Sequence, residues 1–237
     1  ALQQHIDTEA DITIIYSKGF YSKEKNPSTN VISVDENHTV KEVLITPAIT
    51  GECNVSLEMF IMRTEFLKKI VQEAASKSQH SLVRDVLQGR KDEFVIKGYE
   101  HKGVFTKIDG LAAYYQANLS LLQADTRAGL FQESAPIYTK VGDNAPVKYG
   151  LESSVKNSLI ADGCVIEGSV ENCVLFRGVR IGKDAVVKNS VLMQGTHVGE
   201  KCNIERVIAD KNVDISSDKV LTGSDDFPLY LSKNGKI

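Results

Sequence analysis

The chain has 237 residues with a formal net charge of -3, and 42% of its residues are apolar. This length and composition predict one large or two small globular domains. The lysines and arginines are scattered, so charge gives no case for binding nucleic acid or an anionic membrane. No apolar run approaches the length of a membrane span, and the opening ALQQHIDTEA does not resemble a signal peptide.

The cysteine spacing predicts neither a zinc site nor a disulfide framework. No two of Cys53, Cys164, Cys173 and Cys202 stand in a Cys-x-x-Cys pair. Three of them lie in a C-terminal repeat, where cysteine is typical as a small core residue. The pattern favours a cytoplasmic protein.

The first half of the chain has the pattern of an α/β domain. Strand-length apolar runs occupy residues 10–16, 30–35, 39–45, 55–62, 94–99 and 103–108, of which the second and third form a hairpin. Helical spacing predicts helices near residues 64–78, 81–89 and 109–124, with Ser81 and Asp109 as N-caps. The polar residues 22–29 predict a loop, and residues 125–150, with two prolines, predict a connector. No glycine-rich, phosphate-cradling turn follows a strand.

Residues 155–215 contain a repeat with a period of 17. Residues 175–191 (LFRGVRIGKDAVVKNSV) align with residues 192–208 (LMQGTHVGEKCNIERVI), and a third copy begins at Ala209. An upstream copy is about two residues shorter. The aligned pairs are Gly178 with Gly195, Ile181 with Val198, Gly182 with Gly199, and Val187 with Ile204.

Within each copy the apolar residues stand six apart, as Ile181 and Val187 do, which is typical of a parallel β-helix. Each aliphatic residue is expected to point inward and stack on its equivalent in the next coil, because no coil buries its apolar face alone. Gly182 and Gly199 are expected at turns with positive φ. The alternative for such a Val/Ile/Gly-rich run is an ordinary antiparallel sheet.

Several stretches follow one another in a recognisable order: ADITIIY, NVISVDENHTVKEVLITP, SLEMFIM, GLAAYYQANLSLL, APIYTKVGDNAPVKY and IERVIADKNVDI. Over nearly the whole chain this order resembles glucose-1-phosphate adenylyltransferase, also called ADP-glucose pyrophosphorylase, of bacterial glycogen synthesis. The resemblance implies a partial nucleotidyltransferase (Rossmann-like) α/β domain at residues 1–124, a linker at 125–150 and a left-handed parallel β-helix of hexapeptide repeats at 151–237. The glycine-rich nucleotide loop of the family has no counterpart here, so we expect a fragment that lacks the N-terminal third of a longer protein.

The first catalytic motif of the family is altered in this chain. Active members carry Glu-Lys-Pro after the second hairpin strand, and the lysine binds the sugar phosphate. Here Ile45 and Thr46 replace the first two residues, while Pro47 is kept. A neutral threonine cannot supply the ammonium that a phosphate dianion requires.

The next two family motifs are altered as well. The Ser-Met-Gly that lines the sugar pocket of active members is Ser-Leu-Glu here, from Ser56 to Glu58, which adds bulk and negative charge. The aspartate that holds the catalytic Mg²⁺ aligns with Lys107, whose ammonium would repel the metal by roughly 4 kcal/mol per unit of metal charge at a surface-like dielectric. A two-residue shift of the alignment would make Asp109 the metal ligand, although its place before a helix fits an N-cap better.

These replacements predict a chain with no catalytic residues, no metal and no cofactor of its own, although the reaction of the family uses Mg²⁺ and ATP. The resemblance then implies a regulatory-type subunit that associates with the catalytic subunit, as a heterotetramer, or that self-associates, and that shifts the activity of its partner. An active sugar-phosphate nucleotidyltransferase is the alternative.

Two further candidate sites lie in the repeat. Arg177, Arg180 and Lys183 could form a cationic patch for a sugar-phosphate effector, although a solvated face is the default for such residues. His197 could act as the general base of a hexapeptide-repeat acyltransferase, a second alternative function. A lone histidine on a coil is more often a wall or surface residue.

Overall fold

The structure is a computed structural model that describes residues 1–23, 28–139 and 141–237. Contacts divide the chain into two compact units, Ala1–Phe105 and Thr106–Ile237. The loop predicted at residues 22–29 lies partly outside the described residues, because residues 24–27 are not among them. Within the described ranges, no helix is long and apolar enough to span a bilayer.

The first unit is built on a five-stranded sheet with the strand order β3-β2-β4-β1-β5. Its strands are β1 (Ile12–Ser22), β2 (Asn30–Val34), β3 (Val40–Ile45), β4 (Thr50–Met62) and β5 (Ile96–Glu100). Its helices are α1 (Leu2–Asp7), α2 (Thr64–Ser76), a π-helix (Leu82–Gln88) and a 3-10 turn (Lys91–Glu93). Neighbouring strands are antiparallel, except that β5 runs parallel to β1. The hairpin and the other strands predicted before residue 100 are confirmed, and β1 and β4 are longer than expected.

One face of this sheet carries the core of the first unit. Apolar side chains of β1, β2, β3 and β5 pack against α2 and the π-helix, which contribute Ile70, Val86 and Leu87. Nδ1 of the buried His5 in α1 forms a hydrogen bond of 2.8 Å with Oγ1 of Thr13 on β1. Because alternate residues of the strands are apolar, one face of the sheet is apolar, and the helices cover that face.

The start of the π-helix confirms the predicted cap. The hydroxyl of Ser81 accepts a hydrogen bond from the backbone N–H of Arg84 at 3.2 Å, and Gly89 follows the helix. The Asp85 carboxylate accepts from the backbone N–H groups of Ser81 and His80, both at 2.9 Å. These hydrogen bonds hold the pKa of Asp85 below its usual value, and the bond from Ser81 has the largest effect.

Three predictions around residue 105 are wrong: a strand, a single helix and its N-cap at Asp109. Residues 103–108 form no strand, and no described strand pairs with them. The helix expected at residues 109–124 is instead two helices, α3 (Leu111–Ser120) and α4 (Ala124–Leu130), so that α4 begins the stretch expected to be a connector. The N-cap of α3 is Gly110, with no side-chain cap, and Asp109 is an exposed residue before it.

The rest of the second unit is a parallel β-helix made of three five-stranded parallel sheets. The β7 sheet contains β7 (Ser154–Lys156), β10 (Ser169–Glu171), β13 (Val186–Lys188), β16 (Asn203–Glu205) and β19 (Val220–Thr222). The β8 sheet contains β8 (Leu159–Ile160), β11 (Val174–Leu175), β14 (Val191–Leu192), β17 (Val207–Ala209) and β20 (Leu229–Leu231). The β6 sheet contains β6 (Lys148–Tyr149), β9 (Val165–Ile166), β12 (Arg180–Ile181), β15 (His197–Val198) and β18 (Asp214–Ile215).

The register of these sheets confirms the repeat read from the sequence. Ile181 pairs with Val198, and Val198 pairs with Ile215, each one period of the repeat further on. Val155 pairs with Val170, which confirms the shorter upstream copy. The stacked residues are almost completely buried, as expected if each coil covers the apolar face of the next.

Gly182 and Gly199 are essential for a different reason from the one predicted. Neither has a positive φ, whereas Gly178 and Gly195 do, at 69° and 72°. A Cβ on Gly182 would lie 2.8 Å from the backbone N of Glu200, so the chain of the next coil leaves no room for a side chain. The requirement is close approach of two backbones.

Helix α3 packs on the outer face of the β8 sheet, which places it in the second unit rather than in the domain expected to end at residue 124. Tyr115 is fully buried there among Val174, Val191 and Ile208. Its hydroxyl donates to the backbone carbonyl of Asn189 at 2.5 Å. Tyr115 is therefore a core residue of the second unit.

The three cysteines of the repeat are core residues, as the sequence predicts. Cys164, Cys173 and Cys202 are at most 1% exposed, and burial raises the pKa of the Cys173 thiol to about 12. Burial also raises the pKa of the half-buried Cys53. Reactivity of a thiol requires both the thiolate form and access for the reagent.

We therefore expect iodoacetamide to label Cys53 of the native protein first, at mildly alkaline pH. The three cysteines of the repeat should react at least about a hundredfold more slowly, because their side chains are buried and inaccessible to the reagent. Mass spectrometry of tryptic peptides over time measures the four rates, with a sample in urea as the control in which all four react. Labelling of native Cys173 as fast as Cys53 would contradict the buried packing of the coil.

Candidate functional site

The motif around Ser56 forms a β-bulge. Ile15 of β1 pairs with Met59 of β4, but the next residue of β1, Tyr16, pairs with Ser56, so Leu57 and Glu58 are left over on β4. Glu58 has φ of 58°, a region that favours glycine. The backbone N–H of Glu58 donates to the hydroxyl of Ser56 at 3.3 Å. The bulge turns the Glu58 side chain out of the regular alternation of the strand.

Asn30, the first residue of β2, links this bulge to the hairpin. Its Nδ2 donates to Oε1 of Glu58 at 2.6 Å, and its backbone pairs with Ile45 of β3. Thr46, with φ of 42°, follows Ile45 directly. The four family positions Ile45, Thr46, Ser56 and Glu58 thus form one cluster beside the first residue of β2, in which Glu58 contacts the Asn30 side chain and Ile45 pairs with the Asn30 backbone. Ser56 keeps the serine of the active motif.

A neighbouring contact fixes the conserved proline of the altered motif. Tyr21 of β1 is fully buried, and its hydroxyl donates to the carbonyl of Pro47 at 3.0 Å. Burial raises the pKa of the Tyr21 phenol above its usual value, so the group stays a neutral donor. The turn after β3 is therefore anchored to the sheet.

The charge of this cluster does not suit a sugar phosphate. Ile45 and Thr46 are neutral, and Glu58 is an exposed carboxylate. Binding a phosphate dianion calls for a charge-assisted donor such as lysine or arginine, and none of the four clustered positions supplies one. The arrangement joins β2 to β4.

Lys107 lies in the second unit, half-buried in the segment before α3. Asp109, the alternative metal ligand, is exposed nearby. Among the described residues, no three His, Cys, Asp or Glu side chains are grouped so that they could hold a metal ion.

The three candidate effector residues lie along one side of one coil. The Arg177 guanidinium forms an ion pair with Asp162 at 3.5 Å. The pKa of the Asp162 carboxyl is lowered, mainly by the hydrogen bond that it accepts from Asn144. Arg180 is an exposed residue of β12. Lys183 lines a shallow groove of ≈ 270 Å³ together with two carboxylates, those of Glu152 and Glu167. The structure does not gather the three cations around one point.

His197 is paired with a carboxylate one coil further on. Its Nδ1 lies 2.9 Å from Oδ1 of Asp214, and both side chains are about half exposed. The two residues are register partners between β15 and β18, so the 17-residue period brings them together. The sequence indicated the histidine but not its partner.

Asn30 is the member of the cluster that the sequence did not indicate. It is only 8% exposed, yet in the sequence it is an ordinary polar residue at the start of a strand. Its partner Glu58 is 28 residues away, and the contact depends on the bulge. Only the fold could reveal the pair.

Comparison with known proteins gives one family match and several relatives. The family described as GlmU-like, C-terminal hexapeptide, matches residues 145–226. The glycogen biosynthesis protein GlgD of Bacillus subtilis (strain 168) is 40% identical over 178 residues, which cover 75% of this chain and 52% of the relative. The protein of the same name from Geobacillus stearothermophilus is 42% identical over 132 residues, 56% of this chain and 38% of the relative.

Relatives with an enzyme name match as well. Glucose-1-phosphate adenylyltransferase of Geobacillus stearothermophilus is 34% identical over 194 residues, which cover 79% of this chain and 49% of the relative. The chain spans about half the length of the curated relatives it matches. It is therefore related in sequence both to the glycogen biosynthesis protein GlgD and to glucose-1-phosphate adenylyltransferase, and its second unit is a hexapeptide-repeat β-helix.

Proposed function

We propose that the chain is part of an ADP-glucose pyrophosphorylase subunit in glycogen biosynthesis that performs no turnover itself. The reaction of the whole enzyme joins ATP and glucose 1-phosphate to give ADP-glucose and diphosphate. The observation that carries the proposal is the contact between Asn30 and Glu58 at 2.6 Å. It puts a carboxylate where an active relative of this type would leave room for a sugar.

The chemistry of the altered positions supports this proposal. Thr46 and Ile45 bring no charge to the phosphate, and Glu58 brings the wrong one. Lys107 stands where the resemblance expects the ligand of Mg²⁺, and nucleotidyl transfer depends on metal and cation clamps. The replacements in these three motifs each act against substrate binding or charge stabilisation, which favours a non-catalytic role.

In this proposal the chain acts through a partner in the cytoplasm. The partner is a catalytic subunit of the same enzyme, joined in a hetero-oligomer such as a heterotetramer, and self-association is the alternative assembly. A regulatory effect then requires a coupling free energy across the contact between subunits. A sugar-phosphate effector at Arg177, Arg180 and Lys183 is a weaker part of the proposal, because Lys183 lies beside two carboxylates.

The test uses the full-length protein and measures ADP-glucose formation by it alone and mixed with a catalytic glucose-1-phosphate adenylyltransferase from the same organism. We expect no product above the blank from the protein alone. In the mixture, the kcat/KM of the catalytic subunit should change by on the order of fivefold, in the range typical of allosteric coupling. The Lys107→Asp variant should remain inactive alone, since Thr46 and Glu58 still differ from the active pattern.

One control and two overturning outcomes make the assay decisive. An equal amount of heat-unfolded protein should leave the catalytic subunit unchanged. Clear turnover by the protein alone would overturn the proposal in favour of an active nucleotidyltransferase with Asp109 as a metal ligand. No effect in either arm would overturn the regulatory role.

The pairing of His197 with Asp214 favours a second candidate, a hexapeptide-repeat acyltransferase. A carboxylate at Nδ1 fixes the ring and leaves Nε2 as the nitrogen that could act as a general base. This function predicts a trimer in solution and binding of coenzyme A. Sedimentation velocity together with calorimetric titration of coenzyme A tests it, and a monomer or dimer without binding would exclude it.

A further inference from the structure

The side chains of Asn30 and Glu58 connect strands β2 and β4, whose backbones are hydrogen-bonded along only part of their length. Asn30 is the first residue of β2, and Glu58 lies in the bulge of β4. The backbone pairing between β2 and β4 covers Val31 with Val55 and Ile32 with Asn54. Beyond that short ladder, the 2.6 Å bond from Asn30 Nδ2 to Glu58 Oε1 extends the connection to the first residue of the hairpin.

The burial of Asn30 makes this bond unusually important. The side chain is 8% exposed, and its Oδ1 is buried without a hydrogen-bond partner among the described atoms. The amide therefore depends on Glu58 for its donor. Loss of the carboxylate would leave a buried amide with neither end satisfied, which is costlier than the loss of an exposed hydrogen bond.

The conformation of Glu58 is unfavourable without some compensation. A non-glycine residue at φ of 58° is disfavoured by its Cβ. Two contacts hold it there, the backbone bond to Ser56 Oγ and the side-chain bond from Asn30. Because an unfavourable backbone conformation persists only where the surrounding structure maintains it, the positive φ of Glu58 indicates that its contact with the buried Asn30 is maintained.

We propose that Glu58 is a built-in latch, whose carboxylate takes the place of a ligand and holds the β2–β3 hairpin closed on β4. The inference rests on the proposed function, because a subunit that binds no sugar phosphate here needs another group to fix the hairpin. The latch keeps this part of the first unit in one conformation whether or not sugar phosphate is present. It makes the unit insensitive to the substrates of its partner.

The test is a double-mutant cycle read by hydrogen exchange in peptides that span residues 30–45. Asn30→Ala and Glu58→Ala should each speed exchange about tenfold, the change expected for loss of a hydrogen bond to a charged group. The double variant should be no faster than the worse single variant, which is a coupling of about tenfold. A coupling below about threefold would overturn the latch, and a larger one supports it.

Conservative variants keep the test informative if an alanine variant unfolds. Glu58→Gln retains an acceptor for Asn30 Nδ2 and should exchange within about threefold of the wild type. Asn30→Asp opposes two carboxylates and should open the hairpin, while Asn30→Asp combined with Glu58→Gln reverses the donor and should restore protection. Failure of this rescue would count against the latch.

Glu52→Ala is the matched control, because Glu52 is an exposed glutamate of the same strand. It should leave exchange of the hairpin unchanged. The cycle is measured on this protein without any partner. A failed latch would therefore appear in the exchange data, whereas a failed regulatory role would appear only in the activity of the mixture.

Discussion

Gly199→Ala is expected to destabilise the β-helix by about 3 kcal/mol. A Cβ on this residue would lie 2.5 Å from the backbone N of Ser217 and 2.8 Å from the backbone carbon of Ser216. Both neighbours belong to the next coil, and neither is the flexible end of a side chain. The added methyl group can be accommodated only if two coils separate, which would disturb the stacking of Val198 on Ile215.

Gly178→Ala separates this effect from the effect of backbone conformation. Gly178 has φ of 69°, but no heavy atom lies within 4 Å of the position of its added Cβ. Its replacement should cost only about 1–2 kcal/mol, the penalty for a left-handed residue with a side chain. Urea unfolding followed by circular dichroism gives both values. Equal destabilisation by the two variants would contradict the close-approach explanation.

The same two glycine positions show what a sequence repeat can and cannot reveal. The period of 17 was enough to predict which residues stack, because the register of parallel coils is fixed by the spacing of apolar residues. It could not distinguish a glycine required by φ from one required by space. That distinction depends on how closely the next coil approaches, and a repeat carries no distance.

Local signals predicted the first unit well where they matched the tertiary contacts. The hairpin and the Ser81 cap depend on residues a few positions apart, and both are confirmed. Residues 103–108 have a strand-like pattern, yet Val104 and Ile108 are exposed. A β pattern yields a strand only where a neighbouring strand supplies hydrogen bonds.

The candidate site was predicted by position but not by contact. The resemblance indicated the positions Ile45, Thr46, Ser56 and Glu58, and the structure brings Glu58 and Ile45 into contact with Asn30. These contacts result from a bulge and a pairing between strands that are distant in sequence. Such contacts follow from the tertiary fold, so residue patterns alone could not have identified Asn30.

Tyr115→Ala is expected to destabilise the second unit by about 3–5 kcal/mol, the usual cost of truncating a buried aromatic side chain. The ring is fully buried between α3 and the β8 sheet, so its removal leaves a cavity that the rigid coils cannot fill. Tyr114→Ala is the matched control, because Tyr114 is only partly buried at the edge of the same cluster, and it should cost less than half as much. Chemical denaturation at neutral pH measures the two differences, and equal losses would contradict the packing.

The phenol of Tyr115 should also make stability depend on pH. Burial raises its pKa to about 12 in the folded chain, against about 10 in the unfolded chain. Below pH 10 the phenol is neutral in both states and its stabilising contribution is complete. Between pH 10 and about 12 only the unfolded chain ionises, so the free energy of unfolding falls, by up to roughly 2–3 kcal/mol.

Tyr115→Phe isolates this dependence from other groups that titrate at high pH. The variant keeps the ring but loses the bond to the Asn189 carbonyl, so at neutral pH it should be about 1–2 kcal/mol less stable than the wild type. Because phenylalanine cannot ionise, this difference should shrink as pH rises above 10 and then change sign. If the difference in free energy of unfolding between the two proteins stays constant from pH 8 to 11.5, folding does not raise the pKa of the Tyr115 hydroxyl.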